Sequence, residues 1–122
     1  MIGSMPQTNP DEACRVVLRH LSAIPTWPQL PRRSPTESMY AQVSEGFPGV
    51  VVEDSRIYID RSRDIDSGLE KLYTAYSDNN TSTCGISREY GAGFHALLTS
   101  RADKAIAVKG QVSGPISWGL AV

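Results

Sequence analysis

Residues able to do chemistry gather in three places. Ile2-Gly3-Ser4-Met5-Pro6-Gln7-Thr8 sets a glycine, which lets a backbone approach a ligand closely, beside a serine that offers an amide and a hydroxyl. Lys109-Gly110-Gln111-Val112-Ser113-Gly114-Pro115 follows an apolar run, and its two glycines and proline make a specialised turn. In α/β folds such turns, at the C-terminal ends of strands, are where ligands sit. Arg32 and Arg33 follow a proline-fixed stretch, where adjacent guanidinium groups suit a carboxylate or phosphate; the alternative is a solvated basic turn. His20 and His95 have no partner at metal-ligand spacing and read as structural. Cys14 and Cys84 lie far apart with no CxxC or Cys/His cluster, so neither a disulfide framework nor a zinc knuckle is indicated. Nothing basic adjoins Cys84 to lower its pKa, and the acid pairs Glu53/Asp54 and Asp64/Asp66 are explained by turn and capping duty. The chain therefore offers no catalytic residue and no metal ligand of its own.

Composition narrows the partners. The chain has 122 residues, 40% hydrophobic and 20% charged, with 12 Lys and Arg against 13 Asp and Glu. That near-neutral balance lacks the clustered cations that nucleic acid or an anionic membrane requires. No apolar run approaches the roughly 20 residues of a membrane span, and Met1-Ile2-Gly3-Ser4 lacks the basic start and apolar middle of a signal peptide. A cytoplasmic protein with a small-molecule ligand is expected. Asn79-Asn80-Thr81 matches a glycosylation acceptor formally and reads as a polar turn.

The elements that must position these residues follow a βα rhythm. Asn9-Pro10-Asp11-Glu12 is a helix start, and Ala13, Val16, Val17 and Leu21 then share one face. Four prolines between Ile24 and Pro35 allow only an extended or fixed irregular segment. Thr36 to Glu45 is helix-compatible, with Met39 and Val43 four apart, until Gly46-Phe47-Pro48-Gly49 stops it. Val50–Val52 and Ile57–Ile59 around a polar turn predict a hairpin. Asp64 should cap a second long helix carrying Leu69, Leu72, Tyr73 and Tyr76 on one face. A third helix is expected from Ser87, with Tyr90, Phe94, Leu97 and Leu98 inward and the small Gly91 and Gly93 letting another backbone come close. Ala105-Ile106-Ala107-Val108 reads as a strand buried on both sides of a parallel sheet.

The opening stretch resembles the Ile-Gly-Ser-x-Pro-Gln-Thr start of the catalytic barrel of cobalamin-independent methionine synthase. Lys109 to Ser117 is similar to the Lys-Gly-x-x-Thr-Gly-Pro-x-Thr loop of the same family, with serine for threonine at both places. Trp27 to Ser34 and Met39 to Gln42 resemble smaller proteins related to methionine synthase and to uroporphyrinogen decarboxylase. The likeness spans most of this chain but about the first third of a family barrel. It implies a (β/α)8 barrel in which zinc, held by later strands, activates the thiol of homocysteine for methyl transfer. Ile2, Gly3 and Ser4 match the loop that holds the amino-acid part of homocysteine or methionine. Where that family has a His-Gly-Glu stretch whose acid meets the substrate amine, this chain has Pro31-Arg32-Arg33, which places Arg33 against an acidic group instead.

The expectation is thus a partial (β/α)8 barrel over residues 1–122: the N-terminal strands and helices with a β-hairpin insertion. A complete barrel takes about 250 residues. Both ends read as cuts through a larger fold, leaving sheet edges through which the chain should self-associate. The expected function is that of an N-terminal piece of a methionine synthase-like methyltransferase of methionine biosynthesis. It would supply the pocket loops Ile2, Gly3, Ser4 and Arg33 for a thiol or amino-acid substrate, with no cofactor in this chain and zinc in the complete barrel. The alternatives are a uroporphyrinogen decarboxylase-like enzyme fragment and a non-catalytic interaction piece of a split barrel.

Overall fold

The computed structural model describes residues 3–54, 56–100 and 102–122, a mixed α/β arrangement. Helix α1 spans Pro10–His20, and the Asn9 carboxamide caps it by accepting from the Asp11 and Glu12 amides at 3.0 Å each. Such a cap stabilises a helix by about 1 kcal/mol. Ala13, Cys14 and Val17 are buried, and Met5, Ala13, Val17 and Leu30 form the apolar core, with Val16 and Leu21 against it.

Beside α1 run three extended segments. The residues around Ser4 pair in parallel with Gln29, and Thr26 pairs in parallel with Lys109. Gln29 N–H donates to the Gly3 carbonyl at 2.7 Å and Met5 N–H to the Gln29 carbonyl at 2.9 Å. On the other side Ile106 N–H reaches the Ala23 carbonyl at 2.8 Å and Lys109 N–H the Pro25 carbonyl at 2.9 Å. Residues 23–29 therefore lie in the middle, and the prolines among them limit pairing to these few bonds because each removes a donor.

The 36–45 stretch is broken where one helix was expected. A 3₁₀ turn, Pro35–Glu37, is separated from the single-turn helix α2, Met39–Gln42, by Ser38, whose ψ of 155° is extended. Serine hydroxyls favour such breaks by capping: Ser34 Oγ accepts from Thr36 N–H and Ser38 Oγ from Ala41 N–H. Gly46 and Gly49, at φ of 77° and 76°, turn the chain into the antiparallel pair β1 (Val50–Glu53) and β2 (Arg56–Ile59). Val50 opposes Ile59 and Glu53 opposes Arg56, the hairpin expected from the two β-branched runs.

Helix α3, Ile65–Ser77, starts at the expected Asp64 cap. Its apolar stripe is less covered than its periodicity implies: Leu72 is half-buried, while Tyr73 and Tyr76 are 72% and 83% exposed. After a second 3₁₀ turn, Thr81–Cys84, helix α4 covers Ala92–Thr99. It does not begin at Ser87, because Ser87 N–H is drawn to the Glu45 carboxylate at 2.7 Å and residues 88–90 form a turn. Leu97 is buried, Phe94 packs edge-on against Trp27 with ring centroids 4.8 Å apart, and Leu98 faces solvent. α4 packs on α1, with Cys14 Sγ 3.8 Å from the Gly93 carbonyl.

Residues 105–108 do not form the expected buried strand: the parallel bridge falls on Lys109, after them, and Ile106 is 86% and Val108 58% exposed. Helix α5, Pro115–Gly119, follows the glycine-containing turn, and Trp118 donates to Ser44 Oγ at 2.5 Å and stacks obliquely on Phe47. Among the described residues no helix is long and apolar enough to cross a membrane.

Candidate functional site

The parallel segments bring the two glycine-containing motifs to one rim. Gly3 N–H donates to Gln111 Oε1 at 3.1 Å, across 108 positions of sequence. The glycine is required there: a Cβ on Gly3 would stand 2.0 Å from Gln111 Nε2 and 2.7 Å from the Trp27 carbonyl. Ser4 beside it is exposed. Ile2, the third residue of that expected loop, lies outside the described residues.

Behind the rim is a row of carboxamides. Gln111 Nε2 donates to Gln29 Oε1 at 2.7 Å, Gln29 Nε2 to Gln42 Oε1 at 2.8 Å, and Gln42 Nε2 to the Tyr90 carbonyl at 2.8 Å. Gln29 and Gln42 are fully buried and Gln111 is half-buried, and such satisfied networks hold their members in one geometry. It ties the first segment, the middle segment, the turn after residue 109, α2 and the turn before α4 into one unit. The sequence gives it no periodic signature. Separations of 13 to 108 positions join these residues, and glutamine is ordinarily a surface side chain.

Arg33 is exposed and paired. Its guanidinium bonds the Glu37 carboxylate at 2.6 Å, and the Glu37 side chain is fully buried. A buried carboxylate demands such a partner. One Glu37 oxygen, Oε2, is buried with no hydrogen-bond partner among the described residues, as are Thr26 Oγ1 and Trp27 Nε1. Arg32 is exposed.

A concavity of about 920 Å³ opens between the proline-rich segment and the hairpin. Pro31, Ser38 and Tyr40 line one side, Glu53, Arg56 and Tyr58 the other, and Ala121 reaches it after α5. It is large enough for a small organic ligand.

The histidines and cysteines stand apart from one another among the described residues. His95 Nε2 is taken up by the Ile86 carbonyl at 2.8 Å, and His20 is exposed at the end of α1. Burial, reinforced by the Asp11 carboxylate, pushes the Cys14 thiol up to about 11, so it stays protonated at neutral pH. Cys84 is exposed. Among the described residues no group of three His, Cys, Asp or Glu side chains converges.

The chain matches no protein-family model, no curated protein and no solved structure.

Proposed function

We propose that this chain is the N-terminal part of a methionine synthase-like methyltransferase barrel, supplying the loops that hold the amino-acid end of a thiol substrate such as homocysteine. The single observation that carries the reading is the hydrogen bond from Gly3 N–H to the Gln111 side chain. It joins the two motif-bearing loops, and three parallel segments stand beneath them in the order that consecutive strands of a barrel take. Ser4 contributes its amide and hydroxyl to the substrate carboxylate, for which charge-assisted bonds of this kind are strong. The thiol-activating zinc belongs to other strands of the complete barrel, so the chain alone binds without turnover. The reading carries with it a cytoplasmic location, and self-association where apolar side chains such as Ile106 face solvent.

A uroporphyrinogen decarboxylase-like role has less support, because Arg33 is already committed to Glu37. An NMR titration of the ¹⁵N-labelled chain separates the readings. L-homocysteine and L-methionine should shift the Gly3 and Ser4 amides saturably. Shifts around Arg32 with a tricarboxylate, and none with the amino acids, would favour the decarboxylase. Silence with both ligands, together with a stable complex of two or more chains in solution, would leave the interaction piece of a split barrel.

A further inference from the structure

We propose that the Gln111 carboxamide is a built-in placeholder for an α-amino acid, its oxygen standing where the ligand carboxylate binds the Gly3 amide and its nitrogen where the ligand ammonium binds Gln29 Oε1. The inference rests on the reading of Gly3 and Ser4 as an amino-acid subsite and names what closes that subsite and what recognises the amine.

The geometry carries it in three steps. The Gly3 N–H is not waiting for a ligand; it is satisfied by Gln111 Oε1 at 3.1 Å. The same carboxamide lies across the open face of Gly3, its nitrogen 2.0 Å from where a Cβ would be, so it fills the approach that the glycine creates. Its nitrogen donates to Gln29 Oε1 at 2.7 Å, giving one acceptor and one donor a few ångströms apart. An α-amino acid carries the same pair, an acceptor carboxylate and a donor ammonium on adjacent carbons, and both are charged. Charge-assisted hydrogen bonds are roughly twice as strong as neutral ones, so the zwitterion outcompetes the carboxamide when present.

Gln111 is also free to leave. It is half-buried in a loosely packed turn: a Cβ on Gly110 would meet only a Trp27 ring carbon at 3.8 Å, one on Gly114 would meet nothing within 4 Å, and Val112 is exposed. Withdrawal breaks two hydrogen bonds and unpacks no apolar core residue. The ammonium then satisfies Gln29 Oε1, whose own position is fixed from behind by Gln42. Gln29 thereby takes the amine-binding duty for which the Pro31-Arg32-Arg33 stretch supplies no acid.

The test follows the Gly3 backbone amide and the Gln29 side-chain amide by ¹⁵N NMR during addition of L-methionine, L-homocysteine and glycine. The comparison is between the wild-type chain, Gln111→Ala and the one-methylene-shorter Gln111→Asn, each first checked for a dispersed spectrum. Both resonances should saturate at L-methionine concentrations about fivefold or more lower in the variants, the order expected from removing a competing neutral hydrogen bond. Equal affinity for L-methionine in wild type and variants overturns the placeholder and spares the methyltransferase reading. A gain in the variants that is as large for glycine, with glycine binding as tightly as L-methionine or L-homocysteine, keeps the placeholder and overturns the thiol substrate. No response of Gly3 to any amino acid in either variant overturns both.

Discussion

Gly93 lies so close to Pro28 that a Cβ on the glycine would stand 2.0 Å from the proline's carbonyl oxygen. This contact seats α4 against the middle extended segment and, through the turn before α4, sets where the Tyr90 carbonyl meets Gln42. In an isolated helix alanine is preferred to glycine by about 1 kcal/mol. Here the opposite sign is expected. Gly93→Ala should destabilise by about 2–3 kcal/mol, because backbone on both sides of the contact has to move. Gly114→Ala, where nothing lies within 4 Å, should stay within about 0.5 kcal/mol of wild type in the same urea titration.

Gln29→Leu tests the carboxamide row. The substitution leaves Gln42 Oε1 and Gln111 Nε2 without their partners, one of them fully inside the protein. A loss of about 2–4 kcal/mol is expected, at 1–3 kcal/mol for each stranded polar group with some relief from water at Gln111. Amide hydrogen exchange at Gly3 should accelerate in the same variant, since Gln111 loses its anchor.

These two features also mark how far the sequence can be read. The Asn9 cap, the Asp64 cap and the Val50–Ile59 hairpin were legible because each signal lies within a few residues of the structure it makes. The close approach at Gly93 was legible as well, since a glycine inside a helical pattern asks for a reason. The start of α4 was not, because it depends on Glu45 reaching Ser87 across 42 positions. Nor was the commitment of Arg33, whose partner Glu37 stands at helical spacing in a stretch that is not a continuous helix. The rim was half legible: Gly3 stood out by type, while Gln111, which makes the glycine necessary, carried no signal beyond its loop.

Arg33→Ala should strand the Glu37 carboxylate. Removing one partner of a fully buried pair costs about 3–5 kcal/mol; Arg33 is partly exposed, so about 2–3 kcal/mol is expected here. The double variant Arg33→Ala/Glu37→Gln, which removes the charge as well, should recover most of that loss. Equal instability of the single and double variants in thermal melts would show that the ion pair is not the source.

Stability should fall at both ends of the pH scale. Hydrogen bonds from Ser62 hold Asp60, and those from Ser67 hold Asp64, below the usual carboxylate range. Their contribution is present above the unfolded value of about 4 and lost as pH falls through the lower folded values. In acid α3 should fray first at its Asp64 end, visible as early loss of its N-terminal amide signals. On the alkaline side the Cys14 thiol is raised from 9.0 to about 11, so its contribution is complete below 9.0 and lost as pH rises toward 11. Cys14→Ala should flatten that alkaline limb and leave the acid limb unchanged.

The carboxamide row has a sense as well as a location. One end is an N–H that can only give a hydrogen, the other a C=O that can only receive one, and three glutamines stand between them. A glutamine can ordinarily be turned over with little penalty, but here reversing any one of the three sets oxygen against oxygen on one side and nitrogen against nitrogen on the other. All three dipoles therefore point the same way along the row, from the Gly3 amide to the carbonyl that precedes α4.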